Sequence, residues 1–345
     1  MIIPRILSTS ALNRCALLLI VLGALAPFSF GQMTINGAGA TFPYPIYSKW
    51  FEAYTKVDPS VRFNYQSIGS GGGQKLIMEE TVDFAGTDSP MMDESLAKAP
   101  AKLLHIPTVA GAVVVTYNLP SVSNLKLDGE TLANIFLGRI KKWNDPAIAR
   151  LNPEVKLSNE DVVVVHRSDG SGTSFIWTDY LSSVSPEWQA NEGKGTSVQW
   201  PAGIGAKGNE GVAGQVKQLP GAVGYVELIY ALQNRMAMVD VQNKAGCFVT
   251  PSTDSVKAAL TSAQIPEDFR FSIVNSAGPA AYPISGATWI LAYQEQKDHE
   301  KGKKLVEFLK WMVNQGEQMA RELHYAPLPE DLRKRVAARI ESIKY

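Results

Sequence analysis

Three segments of the sequence place glycines and hydroxyl residues immediately before a predicted helix. They read INGAGATFPYPIYSKW from residue 35, SIGSGGGQKLIMEE from residue 67 and VHRSDGSGTSFIWTDYL from residue 165. The first turn of a helix has backbone N–H groups without an intrahelical acceptor, at the positive end of the helix dipole. Glycine lets that backbone approach a ligand closely. One such turn is typical of an ordinary capped helix, whereas three in one chain favour the binding of an oxyanion.

Charged residues accompany two strand ends. Arg167 carries a planar fork of N–H donors that suits an oxyanion, and Asp169 is close enough in sequence to hold this fork in place. A local ion pair at the surface is the alternative for these two residues. Asp88, in GTDSP, also follows a predicted strand, where the alternatives are a helix N-cap or a turn aspartate.

Signals for catalysis are weak. DGSGT resembles the nucleophile turn of serine proteases, but no motif supplies a His–Asp pair, and the chain has only four histidines. NEGKGTS fails as the phosphate-binding loop of nucleotide hydrolases, because Trp188 occupies the position of the first glycine and Gly195 follows the lysine. No cluster of His, Cys, Asp or Glu has the spacing of a metal site.

Composition indicates an ordinary globular protein. The 345 residues have a formal net charge of zero and are 45% hydrophobic, enough chain for about two domains. The balanced charge argues against nucleic acid as a partner, since such proteins usually carry a basic surplus.

The first 31 residues have the pattern of a secretory signal peptide, with cleavage expected after Gly31. Arg5 and Arg14 precede the apolar run ALLLIVLGALA, which is short for a membrane span, although a retained membrane anchor is the alternative. Cys15 precedes that run, which argues against lipidation. Removal of residues 1–31 leaves a charge of −2 and only Cys247, so no internal disulfide is expected.

Predicted strands and helices alternate along the chain, which indicates an α/β class. VRFNYQSI, VDFAGTDSP, IPTVAGAVVVTYN, DVVVV, GAVGYVEL and TWILAY are predicted as strands, and NEGVAGQVKQL as a helix. GETLANIFLGRIKKW is predicted as one helix with Leu132, Ile135, Phe136 and Ile140 on a single face. Residues 299–344 are predicted to be helical, with a break at YAPLPED.

Taken together and in order, several segments resemble the periplasmic phosphate-binding protein family of bacterial phosphate ABC transporters, the PstS family. The resemblance rests on GAGATFPYPIYSKW, YQSIGSGGGQ, VDFAGTDSPM, LGRIKKWNDPAIARLNP, HRSDGSGTSFIWTDYL, GNEGVAGQVKQLPGAVGYVE and HYAPLPED. It covers nearly all of the chain after the predicted signal peptide.

The resemblance implies a two-lobed periplasmic binding protein of type II-like fold, in which each lobe is a central β-sheet flanked by helices. Lobe 1 would comprise residues 32–110 and 286–345, and lobe 2 residues 111–285. Crossing hinge strands near residues 107–116 and 284–288 would join the lobes, and the ligand would lie in the cleft between them.

The resemblance also implies a set of phosphate-binding residues, each carried over from a matching motif. They are Thr41, Phe42, Ser70, Asp88, Arg167, Ser171, Gly172 and Thr173. Asp169 would orient Arg167. Asp88 is expected to be ionised, so that it accepts a hydrogen bond from the phosphate O–H and repels sulfate, which has no proton to donate. No catalytic residue, metal or cofactor is implied.

The implied function is capture of inorganic phosphate in the periplasm and its delivery to the membrane permease and ATPase subunits of a transporter. The protein would be a monomer, with no nucleic acid partner. A secreted phosphatase built on the same scaffold is the alternative, and an adhesion protein that uses only the scaffold is a third interpretation.

Overall fold

The computed structural model describes residues 32–345, and the predicted signal peptide lies outside these residues. The strands are β1 Met33–Gly39, β2 Val61–Ser67, β3 Phe84–Thr87, β4 Leu103–Tyr117, β5 Lys126–Leu127, β6 Val163–Arg167, β7 Ile204–Ala206, β8 Ala222–Glu227, β9 Ala237–Met238, β10 Asp240–Gln242, β11 Phe248–Val249, β12 Ser285–Tyr293 and β13 Ala326–Pro327. The helices are α1 Tyr44–Val57, α2 Ser70–Met78, α3 Asp93–Leu96, α4 Gly129–Phe136, α5 Pro146–Leu151, α6 Gly172–Val184, α7 Pro186–Asn191, α8 Gly208–Gln218, α9 Leu228–Gln233, α10 Thr253–Thr261, α11 His299–Gln315, α12 Glu317–Glu322 and α13 Glu330–Glu341. The predicted α/β class is confirmed.

The main sheet has two parallel portions joined by antiparallel strands. Its order is β2-β1-β3-β12-β4-β8-β6-β7, and β9 and β13 also pair with β4. β1 runs parallel to β2 and β3, and β6 runs parallel to β7 and β8, whereas β12 and β4 are antiparallel to their neighbours. In each parallel portion, a strand is followed by a helix that packs against the sheet. β10, β11 and β5 form a small separate sheet.

Strand β4 belongs to both portions of the sheet. Its residues 103–112 pair with β12, and its residues 113–117 pair with β8. All fifteen residues are buried, as the apolar and β-branched segment IPTVAGAVVVTYN predicts. This buried strand therefore runs through both halves of the molecule, each of which carries its own flanking helices.

The helix predicted over GETLANIFLGRIKKW is shorter than expected. Helix α4 ends at Phe136, and Gly138 follows with a φ of +71°, in the left-handed region that ends helices. Ile140 is buried all the same, but it lies in the irregular segment after the turn and not on the helix. The prediction of one continuous helix was wrong because the apolar spacing continues past a glycine that terminates the backbone hydrogen bonding.

The C-terminal region is helical with the predicted break. Gly316 adds a second, unpredicted interruption between α11 and α12. Strand β13 lies in the break at YAPLPED and pairs with Val109 and Ala110 of β4, which brings Tyr325 toward the middle of the molecule. Within residues 32–345, no helix combines the length and the apolar character needed to cross a lipid bilayer.

Gly73 allows helix α2 to lie directly on the first half of the sheet. A Cβ atom at this position would lie 2.5 Å from Gly39 Cα and 2.8 Å from the Ala38 carbonyl oxygen, both backbone atoms of β1. The close approach matters for function because α2 begins at Ser70, one of the predicted site residues.

We expect Gly73→Ala to lower the free energy of unfolding by about 1–3 kcal/mol, because the extra methyl group forces helix and sheet apart. Thermal unfolding followed by circular dichroism measures this effect. Gly214→Ala is the matched control, since a Cβ atom there would meet nothing within 4 Å and alanine favours the helix. Equal melting temperatures for Gly73→Ala and the unsubstituted chain would contradict the packing argument.

Candidate functional site

The third glycine turn connects β6 to α6 and presents several donors at one point. The Ser171 side chain caps the helix, since its Oγ accepts a hydrogen bond from the Ser174 N–H at 3.0 Å. The hydroxyl proton of Ser171 is not used in that bond. Gly172 and Thr173 are the first two residues of α6, and their N–H groups have no acceptor within the helix. The turn therefore offers backbone and hydroxyl donors together.

Arg167 is held in this turn by a bidentate pair with Asp169. Nε donates to Asp169 Oδ1 at 2.8 Å and Nη2 donates to Oδ2 at 2.5 Å, while Nη1 lies 3.4 Å from Thr173 Oγ1. Arg167 is only 3% exposed, so the alternative of a surface ion pair is wrong. With two of its nitrogens occupied by Asp169, the guanidinium points Nη1 at the first turn of α6.

The carboxylate of Asp169 is held in its ionised form. Burial alone raises its pKa, but hydrogen bonds from Arg167, the Arg167 charge and the Gly208 N–H together bring the pKa below its usual value. The Gly208 N–H donates to Asp169 Oδ1 at 3.1 Å. An ionised Asp169 fixes the guanidinium and offsets part of its charge.

The first and second glycine turns bring Thr41, Phe42 and Ser70 to the same region. Thr41 and Phe42 follow β1 and are buried, and Ser70 is the buried first residue of α2. Two tyrosines fix the first turn: Tyr230 Oη donates to the Thr41 carbonyl and Tyr325 Oη donates to the Phe42 carbonyl, each at 2.6 Å. The carbonyl groups of this turn therefore face tyrosines and not the point where the donors gather.

Asp88 follows β3 and is 1% exposed. Its Oδ1 accepts from the Thr288 hydroxyl at 2.7 Å, and its Oδ2 lies 3.5 Å from Ser70 Oγ. The next helix, α3, has Met92 and not Asp88 as its N-cap, so the N-cap alternative is wrong. The tertiary contact with Thr288, 200 residues away, also distinguishes Asp88 from a local turn aspartate.

Burial changes the protonation of Asp88. Loss of water raises the pKa of this carboxyl to about 7, against the opposing effects of the Thr288 hydrogen bond, the Arg167 charge and the Ser70 hydrogen bond. Burial therefore favours the neutral form of the Asp88 carboxyl group compared with an exposed aspartate. The expectation of a fully ionised Asp88 needs this correction, because the sequence did not reveal how completely the side chain is buried.

The three turns meet across the two halves of the sheet. The Gly71 N–H donates to the Gly170 carbonyl at 2.8 Å. A Cβ atom at Gly172 would lie 2.3 Å from Ser70 Oγ and 2.5 Å from Asp88 Oδ2. Glycine is therefore required at Gly172 for close approach, and Ser70 and Asp88 lie against the first turn of α6.

All nine sequence-predicted residues lie in this one region of the structure. Residues that sequence reasoning did not assign also contact them, among them Asn209, Tyr230, Thr288 and Tyr325. Asn209 Nδ2 lies 2.7 Å from Thr41 Oγ1 and 3.1 Å from Thr173 Oγ1, so it links the first turn to the third. Asn209 follows a glycine at the start of α8, and α8 follows strand β7. This strand–glycine–helix order is the same as in the other turns, and it is the sequence signal that could have identified Asn209.

The site has the chemistry of an oxyanion receptor. Backbone N–H groups, four hydroxyl groups and one guanidinium act as donors, and Asp88 is the acidic group among them. Among residues 32–345, no group of three or more His, Cys, Asp or Glu side chains could hold a metal ion. His166, the histidine in this segment, stacks on Trp200 and pairs its Nδ1 with the Arg167 carbonyl oxygen.

Comparison with known protein families and sequences identifies the relatives of the chain. Residues 27–315 match the family model described as the PBP superfamily domain. The chain is 46% identical over 331 residues to a Pasteurella multocida protein named phosphate-binding protein PstS, covering 95% of both chains. It is 45% identical over 317 residues to the Haemophilus influenzae protein of the same name, covering 91% of this chain and 93% of that protein.

The chain belongs to the PstS family. The resemblance seen in the sequence is thereby confirmed, and it extends over nearly the whole chain.

Solved structures similar to this PstS-family chain share its fold. A high-affinity periplasmic phosphate-binding protein, PfluDING, solved with bound phosphate, superposes with a TM-score of 0.72 at 22% identity, over 89% of this chain and 93% of that one. A phosphate-binding protein from Stenotrophomonas maltophilia gives a TM-score of 0.71 at 24% identity, over 89% and 94% of the two chains. The expected two-lobed α/β binding-protein fold is confirmed.

Proposed function

We propose that this PstS-family protein binds inorganic phosphate in the periplasm and delivers it to a membrane ABC transporter. The observation that carries the proposal is the convergence of three helix-opening turns and the buried Arg167 on one point beside Asp88. The names of the most similar relatives, phosphate-binding protein PstS, support the same ligand.

The physical reason for so many donors is the cost of burying an anion. A desolvated oxyanion is tolerated only when its oxygens are hydrogen-bonded. The proposed ligands are Thr41, Phe42, Ser70, Asp88, Arg167, Ser171, Gly172 and Thr173. Asp169 offsets part of the Arg167 charge. The phosphate charge is therefore balanced mainly by the dipoles of N–H and O–H groups. Because no covalent bond forms, the ligand can leave unchanged.

Equilibrium dialysis against radiolabelled phosphate tests the proposal. We expect one phosphate bound per chain after exhaustive removal of endogenous ligand. Absence of bound phosphate would overturn the proposal and would leave an adhesion or scaffold role as the better interpretation.

We also propose the lobe division implied by the family resemblance: residues 32–110 with 286–345 as lobe 1, and residues 111–285 as lobe 2. The change of β4 partner from β12 to β8 after Ala112, and the start of β12 at Ser285, support hinge strands at these places. Thr41, Ser70 and Asp88 then belong to lobe 1, and the turn from Arg167 to Thr173 belongs to lobe 2. Full coordination of a ligand requires the lobes to meet.

Phosphate is therefore expected to make the protein more compact. Small-angle X-ray scattering should give a smaller radius of gyration for phosphate-loaded protein than for phosphate-free protein at the same ionic strength. The compaction should be absent when phosphate is added to Arg167→Ala at a concentration that saturates only the unsubstituted chain. Superimposable curves for verified free and loaded protein would count against closure of the lobes.

The proposal has three further parts. The protein is exported by means of the segment 1–31, it is a monomer, and it docks on the permease and ATPase subunits of the transporter. The protein acts as a receptor and not as an enzyme, since phosphate leaves as it entered. Incubation with a chromogenic phosphate ester, with and without divalent metal ions, tests this point. Turnover that depends on the protein would favour the secreted phosphatase instead.

A further inference from the structure

Asn209 lies between the first and third turns of the site without being one of the assigned ligands. It is the second residue of α8 and is fully buried. Its amide touches three groups: the hydroxyl oxygens of Thr41 and Thr173, and the backbone N–H of Glu227, which donates to Asn209 Oδ1 at 2.9 Å.

The Glu227 contact determines which way the amide faces. A backbone N–H can only donate, so the atom that meets it must be the oxygen of the Asn209 amide. The nitrogen, Nδ2, therefore faces the two threonines, and it can only donate. Both of its protons have an acceptor, one in Thr41 Oγ1 and one in Thr173 Oγ1.

The orientation of the Asn209 amide determines whether the threonine hydroxyls act as hydrogen-bond donors or acceptors. Each hydroxyl has one proton and two lone pairs, and in each a lone pair is used by Asn209 Nδ2. Thr173 Oγ1 also lies 3.4 Å from Arg167 Nη1, which is again a donor. Hydroxyls that accept from these neighbours keep their own protons for another partner, and an oxyanion is a partner that accepts hydrogen bonds only.

We propose that Asn209 is a positioning residue that sets both threonine hydroxyls as donors to the bound anion and ties the first turn to the third. The inference rests on the proposed function, since it concerns how the same site binds phosphate. Thr41 and Thr173 come from opposite lobes in the proposed division, so the Asn209 bridge forms only when the two turns meet.

Two substitutions test the role of the amide. Asn209→Ala removes the bridge and is expected to weaken phosphate binding about tenfold to a hundredfold, the usual effect of leaving buried hydrogen-bonding groups unpaired. Asn209→Asp keeps the shape and the acceptor for the Glu227 N–H but replaces the donor by an oxygen. We expect it to bind phosphate at least as weakly as Asn209→Ala, and it keeps the test valid if the alanine variant does not fold.

Asn152→Ala is the matched control for loss of a buried asparagine. Asn152 is 4% exposed and bonds only backbone groups of Lys126 and Ile148, away from the site. We expect this control to lower the melting temperature while leaving the phosphate dissociation constant within about threefold of that of the unsubstituted chain.

A double-mutant cycle separates positioning from general stabilisation. In a chain that already carries Thr41→Val and Thr173→Val, there are no hydroxyls for Asn209 to orient. Replacement of Asn209 by alanine in that background should change the phosphate dissociation constant by less than about threefold.

Calorimetric titration with inorganic phosphate gives the dissociation constants for all variants. Phosphate binding by Asn209→Asp within about threefold of the unsubstituted chain would overturn the inference. Equal effects of Asn209→Ala in the two backgrounds would also overturn it. The unsubstituted chain is titrated in the same series, so a failure of the proposed function, seen as no binding by that chain, is distinguishable from a failure of the inference.

Discussion

Arg167→Ala is expected to weaken phosphate binding by about two to four decades while the protein remains folded. Arg167 is 3% exposed, and its guanidinium is the buried cation of the site, paired with Asp169 through two short hydrogen bonds. Removal of one member of a buried charge pair costs about 3–5 kcal/mol, which corresponds to this loss of affinity. The substitution leaves both Asp169 and the bound anion without their cation.

Calorimetry with phosphate measures the effect, and two further variants define its cause. Arg167→Lys keeps the charge but loses the planar fork, so its affinity should fall between those of the alanine variant and the unsubstituted chain. Arg150→Ala removes an arginine from an exposed pair with Asp128 and should not change phosphate affinity. A phosphate affinity of Arg167→Ala within about threefold of the unsubstituted chain would refute a buried arginine ligand.

Asp88→Asn is expected to narrow the preference for phosphate over sulfate, mainly by raising the affinity for sulfate. Near neutral pH phosphate still carries at least one O–H that can donate to an ionised Asp88, whereas sulfate presents only acceptors. A site built around one hydrogen-bonding group rejects an analogue that lacks it, here to the extent that Asp88 stays ionised. Asparagine removes the negative charge and can turn an N–H toward the anion. The repulsion between the carboxylate and a sulfate oxygen is then lost. Arsenate, which also carries a proton, should bind both versions.

The raised pKa of Asp88 makes sulfate binding depend on pH. The neutral fraction of a carboxyl group with a pKa of about 7 rises from about a tenth at pH 8 to about nine-tenths at pH 6. Only the neutral form can donate to a bare sulfate oxygen. Sulfate affinity should therefore increase about tenfold from pH 8 to pH 6 in the unsubstituted chain and stay nearly constant in Asp88→Asn. An unchanged phosphate-to-sulfate ratio in Asp88→Asn, or equal pH dependence in both proteins, would show that Asp88 does not discriminate between the anions.

Much of the site could be predicted because its main signals are local in sequence. Arg167, Asp169 and the start of α6 fall within seven residues, so the spacing favours an arginine beside a helix start, although the individual ligands came from the resemblance to the family. Buried strands such as β4 and β6 can be predicted from their runs of apolar, β-branched residues. The glycine-containing turns after β2 and β6 could be located because both strands were predicted, whereas β1 was not predicted as a strand.

The unpredicted parts depend on contacts between distant segments. Tyr325 reaches Phe42 across 283 residues, and Asn209 reaches Thr41 across 168 residues. No periodicity or spacing encodes such pairs, since they arise only when β13 and α8 pack against the middle of the fold. The raised pKa of Asp88 was missed for the same reason, because burial by distant segments raises it against the lowering effect of the Thr288 hydrogen bond.

The central claim is that the buried site selects a proton-bearing oxyanion. It is tested most directly by calorimetric titration of exhaustively phosphate-stripped protein at pH 8 with phosphate and, separately, with sulfate. We expect one-site binding of phosphate and sulfate binding weaker by about a decade or more, because Asp88 must take up a proton before it can donate to sulfate. No heat of binding with phosphate, or comparable affinities for the two anions, would contradict the claim.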